Sequence, residues 1–335
     1  MPTLFTMTVD TEEEWDWDSG VWPTENLQLR NIHELTRFQE TCERHGVAAT
    51  YFTDWAVFQD LEARDLILDL SSRNHVEIGM HIHPWNTPPL NRSREVTGRD
   101  SYLRTLPEEQ IEAKLGTVYR AFEDAALRPT SFRGGRYSSD GPIHEFLRAH
   151  GFLADASVVP YTSWPDDGSP DYRHRNLEPV RLAPRHDKEA ALWEIPLTLG
   201  FTRKPFEAWA RRFRAIENSW LSKLKLIGLM QRSGFVRRVW LNFEDTPALD
   251  MLALLRVLRP MELPAVCFTV HSSSLSIDKN PYSRDEGSLH RIWSTVDEVF
   301  KVLAGWDDFQ PATVSEVALQ LEAKHHASYR HQPSG

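Results

Sequence analysis

Three apolar runs in this chain end abruptly in side chains that bind metals or move protons. The first, residues 4–9, leads into Val9-Asp10-Thr11-Glu12-Glu13-Glu14-Trp15. The second closes on Val76-Glu77-Ile78-Gly79-Met80-His81-Ile82-His83, and the third is Ala265-Val266-Cys267-Phe268-Thr269-Val270-His271. A buried strand reads this way when its C-terminal end carries chemistry. Side chains alternate along a strand, so His81 and His83 project to one face, where two imidazoles can share a divalent ion. Pro84 then ends the ladder. Asp10 and Glu12 obey the same period of two. One of these carboxylates can complete a two-histidine, one-carboxylate site open to water and substrate, while the other serves as general base. The competing reading of the first run is a solvated acidic loop, because Glu13, Glu14, Asp16 and Asp18 follow. For His-x-His it is a pair of structural histidines.

Three further segments can join such a site. Arg133-Gly134-Gly135-Arg136-Tyr137 follows a short extended stretch. Paired glycines let backbone approach a ligand and leave N–H groups for an oxyanion, and Arg133 suits a bidentate pair with a catalytic carboxylate. Asp155 and Ser157 follow Gly151-Phe152-Leu153-Ala154, where a carboxylate can orient an imidazole. His271 ends the third run as a candidate general acid. Trp85, Arg136 and Tyr137 are candidate substrate contacts.

The elements that must position these residues alternate along the chain. Strands are expected at 4–9, 48–53, 76–83, 131–133, 192–196, 239–243 and 265–271. Helices are expected at 29–45, 61–73, 107–126, 140–150, 246–258 and 286–303. Repeated strand–helix units argue for parallel strands covered by helices, and converging polar strand ends favour a barrel with its site at one rim. The expectation is an α/β protein, a distorted (β/α) barrel of about seven parallel strands.

At 335 residues and 41% apolar content, the chain can bury a large core. Twelve tryptophans are many. Trp15, Trp17, Trp55, Trp85 and Trp164 fall near the candidate site, where aromatic rings line sugar clefts as readily as they fill cores. A net charge of −10 argues against nucleic acid as the main partner. Two cysteines, Cys42 and Cys267, give no disulfide framework. With no basic leader and no run of about 18 apolar residues, a cytoplasmic protein is expected. Residues 1–305 read as the barrel and 306–335 as a C-terminal helix and polar tail, with His325, His326 and His331 on a frayed terminus rather than a metal.

A basic insertion at 201–238 stands apart. Between positions 203 and 238 lie ten Lys/Arg against Glu207 and Glu217, a local charge of +8. Trp209, Phe213, Ile216, Trp220, Leu224 and Ile227 recur at helical spacing. The segment reads either as a helical insertion packed on the barrel or as a surface for anionic lipid headgroups or a phosphorylated glycan carrier.

Taken in order, five motifs resemble those of the polysaccharide deacetylase family (carbohydrate esterase family four, the NodB-homology domain). They are Thr8-Val9-Asp10-Thr11-Glu12, the run from Glu77 to Trp85, Phe132-Arg133-Gly134-Gly135-Arg136-Tyr137, Ala154-Asp155-Ala156-Ser157, and Phe268-Thr269-Val270-His271-Ser272-Ser273. The resemblance spans about residues 3–305. It implies metal-dependent deacetylation of a glycan or sugar carrier, with zinc as the expected ion. It assigns Asp10 as base, His271 as acid, Arg133 as the tether of Asp10, and the backbone near Arg136 to the oxyanion. Two positions depart from the family pattern. Thr11 stands where the family has a metal-binding aspartate, and Trp85 where it has its second histidine. Glu12 and His83 are the substitutes, so the expected metal set is Glu12, His81 and His83. Two other readings fit the same residues: a barrel amidohydrolase acting on a ureido or cyclic amide bond, and a glycan-binding protein without catalysis.

Overall fold

The computed structural model describes residues 2–90, 96, 98–182, 191–220, 226–277 and 280–330. The strands are β1 (Leu4–Thr11), β2 (Ala49–Thr53), β3 (Val76–Ile82), β4 (Ser131–Gly134), β5 (Ala154–Asp155), β6 (Val180–Leu182), β7 (Leu192–Glu194), β8 (Leu199–Phe201), β9 (Arg238–Trp240), β10 (Ala265–His271) and β11 (Gln310–Pro311). The helices are α1 (Glu34–His45), α2 (Trp55–Gln59), α3 (Leu61–Ser71), α4 (Glu108–Asp124), α5 (Gly141–Ala149), α6 (Phe206–Glu217), α7 (Leu226–Arg232), α8 (Ala248–Leu258), α9 (Glu286–Ala304) and α10 (Val314–Arg330).

The main sheet runs β10-β1-β2-β3-β4-β5-β7-β6. Its first seven strands pair in parallel and β6 closes the edge antiparallel. Every residue of β1 is buried, as expected of a central parallel strand covered on both faces. The sheet curls because residues 241–243 do not continue β9, which pairs with β8 in a separate ribbon. Instead, Leu241 and Phe243 exchange backbone hydrogen bonds with Thr269 of β10, and the Leu241 N–H reaches the Thr198 carbonyl. Leu197 in turn reaches Val158, just past β5. The expected distorted barrel of about seven parallel strands is what forms.

Register sets the site. Asp10 lies opposite His271, and His81 lies opposite Arg133. The four side chains that the sequence places at strand ends therefore start from adjacent positions on one rim.

Three expectations change. β5, β6, β8 and β11 are two or three residues long, too short to leave an apolar period in the sequence. The strand expected at 239–243 splits between two partners. The terminus expected to fray at His325 and His326 is helical through 330, while residues 331–335, with His331, lie outside the described residues. Val314, Val317, Ala318 and Leu321 of α10 pack against Leu4 and Ala265, the first residues of β1 and β10. Glu322 binds Arg181 and the Trp193 indole. Burial of that face outweighs the tendency of a terminus to fray.

Candidate active site

Asp10 and Glu12 are 2% and 3% exposed, which rules out a solvated acidic loop. The backbone around Glu12 is pinned by Asn31, which donates to its carbonyl, and by Ser272 Oγ, which accepts from its N–H. Buried His81 and His83 face the same carboxylate. Glu12 Oε2 lies 3.0 Å from His83 Nε2 and 3.7 Å from His81 Nε2, and the two Nε2 atoms are 3.2 Å apart.

The far side of each imidazole fixes its tautomer. His81 Nδ1 lies 2.8 Å from the Arg133 carbonyl, which can only accept, so Nδ1 donates and Nε2 keeps its lone pair. His83 Nδ1 lies 3.0 Å from Glu13, whose other oxygen accepts from the Trp85 indole. Behind Glu13 sits Asp54, capped by Asn86. Burial, then the Glu13 charge, pushes Asp54 well above the usual carboxylate range. Burial alone would raise Glu12, but the His83 and His271 charges outweigh it and hold Glu12 well below that range. Carboxylate and backbone acceptors behind metal-binding imidazoles are the usual support of such sites.

These donors fit a divalent ion. Ligands about 2 Å from a tetrahedral ion stand roughly 3.3 Å apart, close to the three distances above. Glu12 Oε1 is buried without a hydrogen-bond partner among the described residues, an oxygen that needs a cation or donor. Glu13, Asp54 and His83 form a second group close enough to share an ion, but the two carboxylates already have partners and neither lines the cavity.

Arg133 is fully buried, with Nη1 2.5 Å from Asp10 Oδ1. The expected bidentate pair does not form. Nη1 also donates to Thr269 Oγ1 and Nε to the Ala156 carbonyl, so one guanidinium edge is turned toward neighbouring strands. The other carboxylate oxygen of Asp10 is 3.6 Å from His271 Nε2. His271 Nδ1 is held by Glu244 at 2.7 Å. Glu244 is fixed in turn by Ser274 Oγ and Asn242 Nδ2. Burial would lower His271, but the charges of Glu244 and then Glu12 raise it from 6.5 to about 10. The pair's stabilisation is therefore complete below about 6.5 and fades as pH rises toward 10.

Asp155 does not join this group. Across β4 its carboxylate takes His144 Nε2 at 2.9 Å, Ser139 Oγ and Ser157. The imidazole it orients belongs to α5, and its side-chain link toward the site runs through Ser157, whose Oγ accepts from the Gly134 N–H. That N–H is thus not free for an oxyanion. The glycines serve packing instead. A Cβ on Gly135 would stand 2.5 Å from His83 Cδ2 and from the Ile82 carbonyl, and one on Gly134 would strike the Ser138 carbonyl. Arg136 and Tyr137 both adopt positive φ, 53° and 59°. This turn swings them to the cavity wall, where Arg136 pairs with Asp166 and Tyr137 stacks on Trp164.

The cavity measures about 300 Å³ and is lined by Asp10, Glu12, His81, His83, Glu244 and His271, under a collar of aromatic rings. Trp17 packs edge-on against His271, Trp15 bridges Trp17 and Trp85, and Trp240 leans on Tyr137. The indole N–H groups of Trp15, Trp17 and Trp240 are buried without acceptors among the described residues. Trp85 lines the wall but spends its own N–H on Glu13, so it positions His83 as much as it meets a ligand. A larger hollow of about 980 Å³ borders this cavity at Trp85 but holds none of the histidines. Glu244, Glu13, Asp54, Trp240 and Asn242 were not singled out from the sequence. Glu244 had a readable signal, since it follows the apolar run 239–243 as Asp10 follows 4–9.

No family model matches the chain, and no curated protein does. Solved structures do. Over 97% of its length the chain is similar to a Mycobacterium smegmatis structure assigned as a polysaccharide deacetylase (14% identity, TM-score 0.56, 92% of that chain covered). Over 96% it is similar to one from Pseudomonas aeruginosa PAO1 with the same assignment (13%, 0.53, 91%). It also matches a 4-alpha-glucanotransferase of Thermococcus litoralis (11%, 0.53) over 96% of its own length, spanning 41% of that chain. At such identities the likeness is one of fold, and the fold is that of structures assigned as polysaccharide deacetylases.

Proposed function

We propose that the protein is a divalent-metal-dependent hydrolase that removes the acetyl group from an N-acetylated sugar, either a glycan unit or its carrier-linked precursor. The observation that carries this reading is one cavity holding a two-histidine, one-carboxylate donor set between two differently supported proton carriers, Asp10 on Arg133 and His271 on Glu244. Glu12, His81 and His83 would hold the ion, zinc by preference for this donor set. When bound, it supplies a Lewis acid for the acetyl carbonyl and acidifies a water molecule. Asp10 takes the proton of the attacking water. His271 gives its proton to the departing nitrogen as the C–N bond breaks, yielding acetate and a free amine. The backbone N–H groups of the 135–137 turn, whose Arg136 and Tyr137 line the cavity, are the proposed oxyanion donors. The aromatic collar and its unused indole donors suit a sugar ring, which offers an apolar face and many acceptor oxygens. A cavity of about 300 Å³ is at the small end for ligand sites, room for about one sugar unit.

The amidohydrolase reading is weaker because Asp-x-Glu, not His-x-His, occupies the first strand. Chelator-stripped protein reconstituted with zinc should release acetate and primary amine in equal amounts from an N-acetylated hexosamine. Fully loaded protein that releases neither from a panel of N- and O-acetylated sugars would overturn the proposal and leave the binding-only reading.

His271 provides a pH test. Glu244→Gln keeps an oxygen acceptor but removes the charge that does most to raise His271. The imidazolium is then lost at lower pH, so the alkaline limb of kcat/KM should move down by at least about one unit while the acid limb stays. An alkaline limb that does not move means that another group is the acid.

A further inference from the structure

The basic insertion divides into two parts. α6 is packed as an ordinary surface helix, burying Phe206, Trp209 and Phe213. α7 is packed more loosely: none of its seven residues is buried, Ile227 and Met230 rest half-buried against the core, and Leu229 is exposed. A helix this short has no intrinsic stability in water, so it is held by that packing, which leaves Leu229 outside it. Nine large hydrophobic residues are exposed among the described residues. Three of them, Trp220 (70%), Leu229 (64%) and Phe235 (49%), fall within these 36 positions.

The surrounding charge identifies the partner. Arg203, Lys204, Arg211, Arg212 and Arg232 are exposed and have no carboxylate partner among the described residues. By sequence the segment carries +8, so the rest of the chain carries −18. Interspersed Trp, Phe and Leu with Lys and Arg, on a protein otherwise strongly acidic, match the interface of an anionic bilayer, where rings and aliphatic side chains enter the headgroup boundary and cations meet phosphates. No described helix is long and apolar enough to cross a membrane, so the contact is peripheral. β9 leads out of this segment and carries Trp240 into the wall of the cavity, joining the docking surface to the site.

We propose that the described parts of this segment dock the protein on an anionic lipid bilayer through Trp220, Leu229 and Phe235 together with the exposed cations Arg203, Lys204, Arg211, Arg212 and Arg232. The inference does not depend on the hydrolase reading. Sedimentation with vesicles of phosphatidylcholine and phosphatidylglycerol (3:1) against pure phosphatidylcholine tests it. At 0.1 M salt the protein should pellet with the anionic vesicles only, and 0.5 M salt should weaken binding at least tenfold. Trp220→Ser/Leu229→Asp should also weaken it at least tenfold, with Tm unchanged because both side chains are exposed. Three results would each overturn the proposal: no pelleting with anionic vesicles, equal pelleting of parent and double variant, or a concentration-dependent dimer abolished by the double variant while vesicles stay unbound. The last outcome would assign the patch to a second copy of the chain.

Discussion

Asp10→Asn should lower kcat by roughly 10³- to 10⁴-fold, the upper range for removing a positioned general base, with metal content unchanged. Asp10 lies at the cavity but outside the Glu12–His81–His83 group, so an amide there removes a proton acceptor and no ligand. The same change should cost stability. Arg133 is fully buried, and Asp10 is the carboxylate its guanidinium touches. Replacing one partner of a buried ion pair leaves a charge without compensation, at about 3–5 kcal/mol. Because asparagine keeps one oxygen for Nη1, the lower figure applies. Thermal unfolding should then shift downward by on the order of 10 °C. The two effects separate experimentally: turnover measured well below the lowered Tm reports chemistry alone. A variant that is folded, loaded with metal and within tenfold of the parent in kcat would show that another group takes the proton.

How much of this was legible in the sequence varies by residue. β10 could be read to its last residue because six apolar or β-branched positions run unbroken into His271. The period of two brought Asp10 and Glu12, and His81 and His83, to one cavity, because the chain stays extended one residue past the ends of β1 and β3. Asp155 shows where the reading stopped short. It does orient an imidazole, as its place along the chain suggested, but the carboxylate meets His144 on α5 rather than a histidine of the cavity. The residue that does orient His271 is Glu244, 27 positions before it, reached because residues 241–243 leave β9 and join β10. That switch of partner depends on barrel closure, a nonlocal event that no window of sequence reports. The roles of Glu13 and Asp54 were hidden for a related reason. In a run of three glutamates nothing marks which of them turn inward, and the imidazole that sets Glu12 and Glu13 on its two sides comes from a neighbouring strand.

The second large effect concerns which of these carboxylates holds the ion. Glu12→Gln should reduce zinc affinity by well over a hundredfold, because loss of an outer partner alone costs about 10–100-fold. The protein would then purify with little metal and release no acetate. Glu13→Gln should be milder, about 10–100-fold in affinity, since Glu13 supports His83 from behind and an amide oxygen can still accept from Nδ1. The order of the two effects discriminates between the two donor groups that share His83. Burial and the Glu13 charge favour a proton on Asp54, and a protonated carboxyl donates a hydrogen bond rather than a lone pair to a cation. Glu12, by contrast, faces the cavity with one oxygen unsatisfied. Titration calorimetry on the two variants gives the answer directly. If Glu13→Gln abolishes binding and Glu12→Gln leaves it intact, the ion sits in the group behind His83, away from Asp10 and His271, and the hydrolytic arrangement proposed here loses its centre.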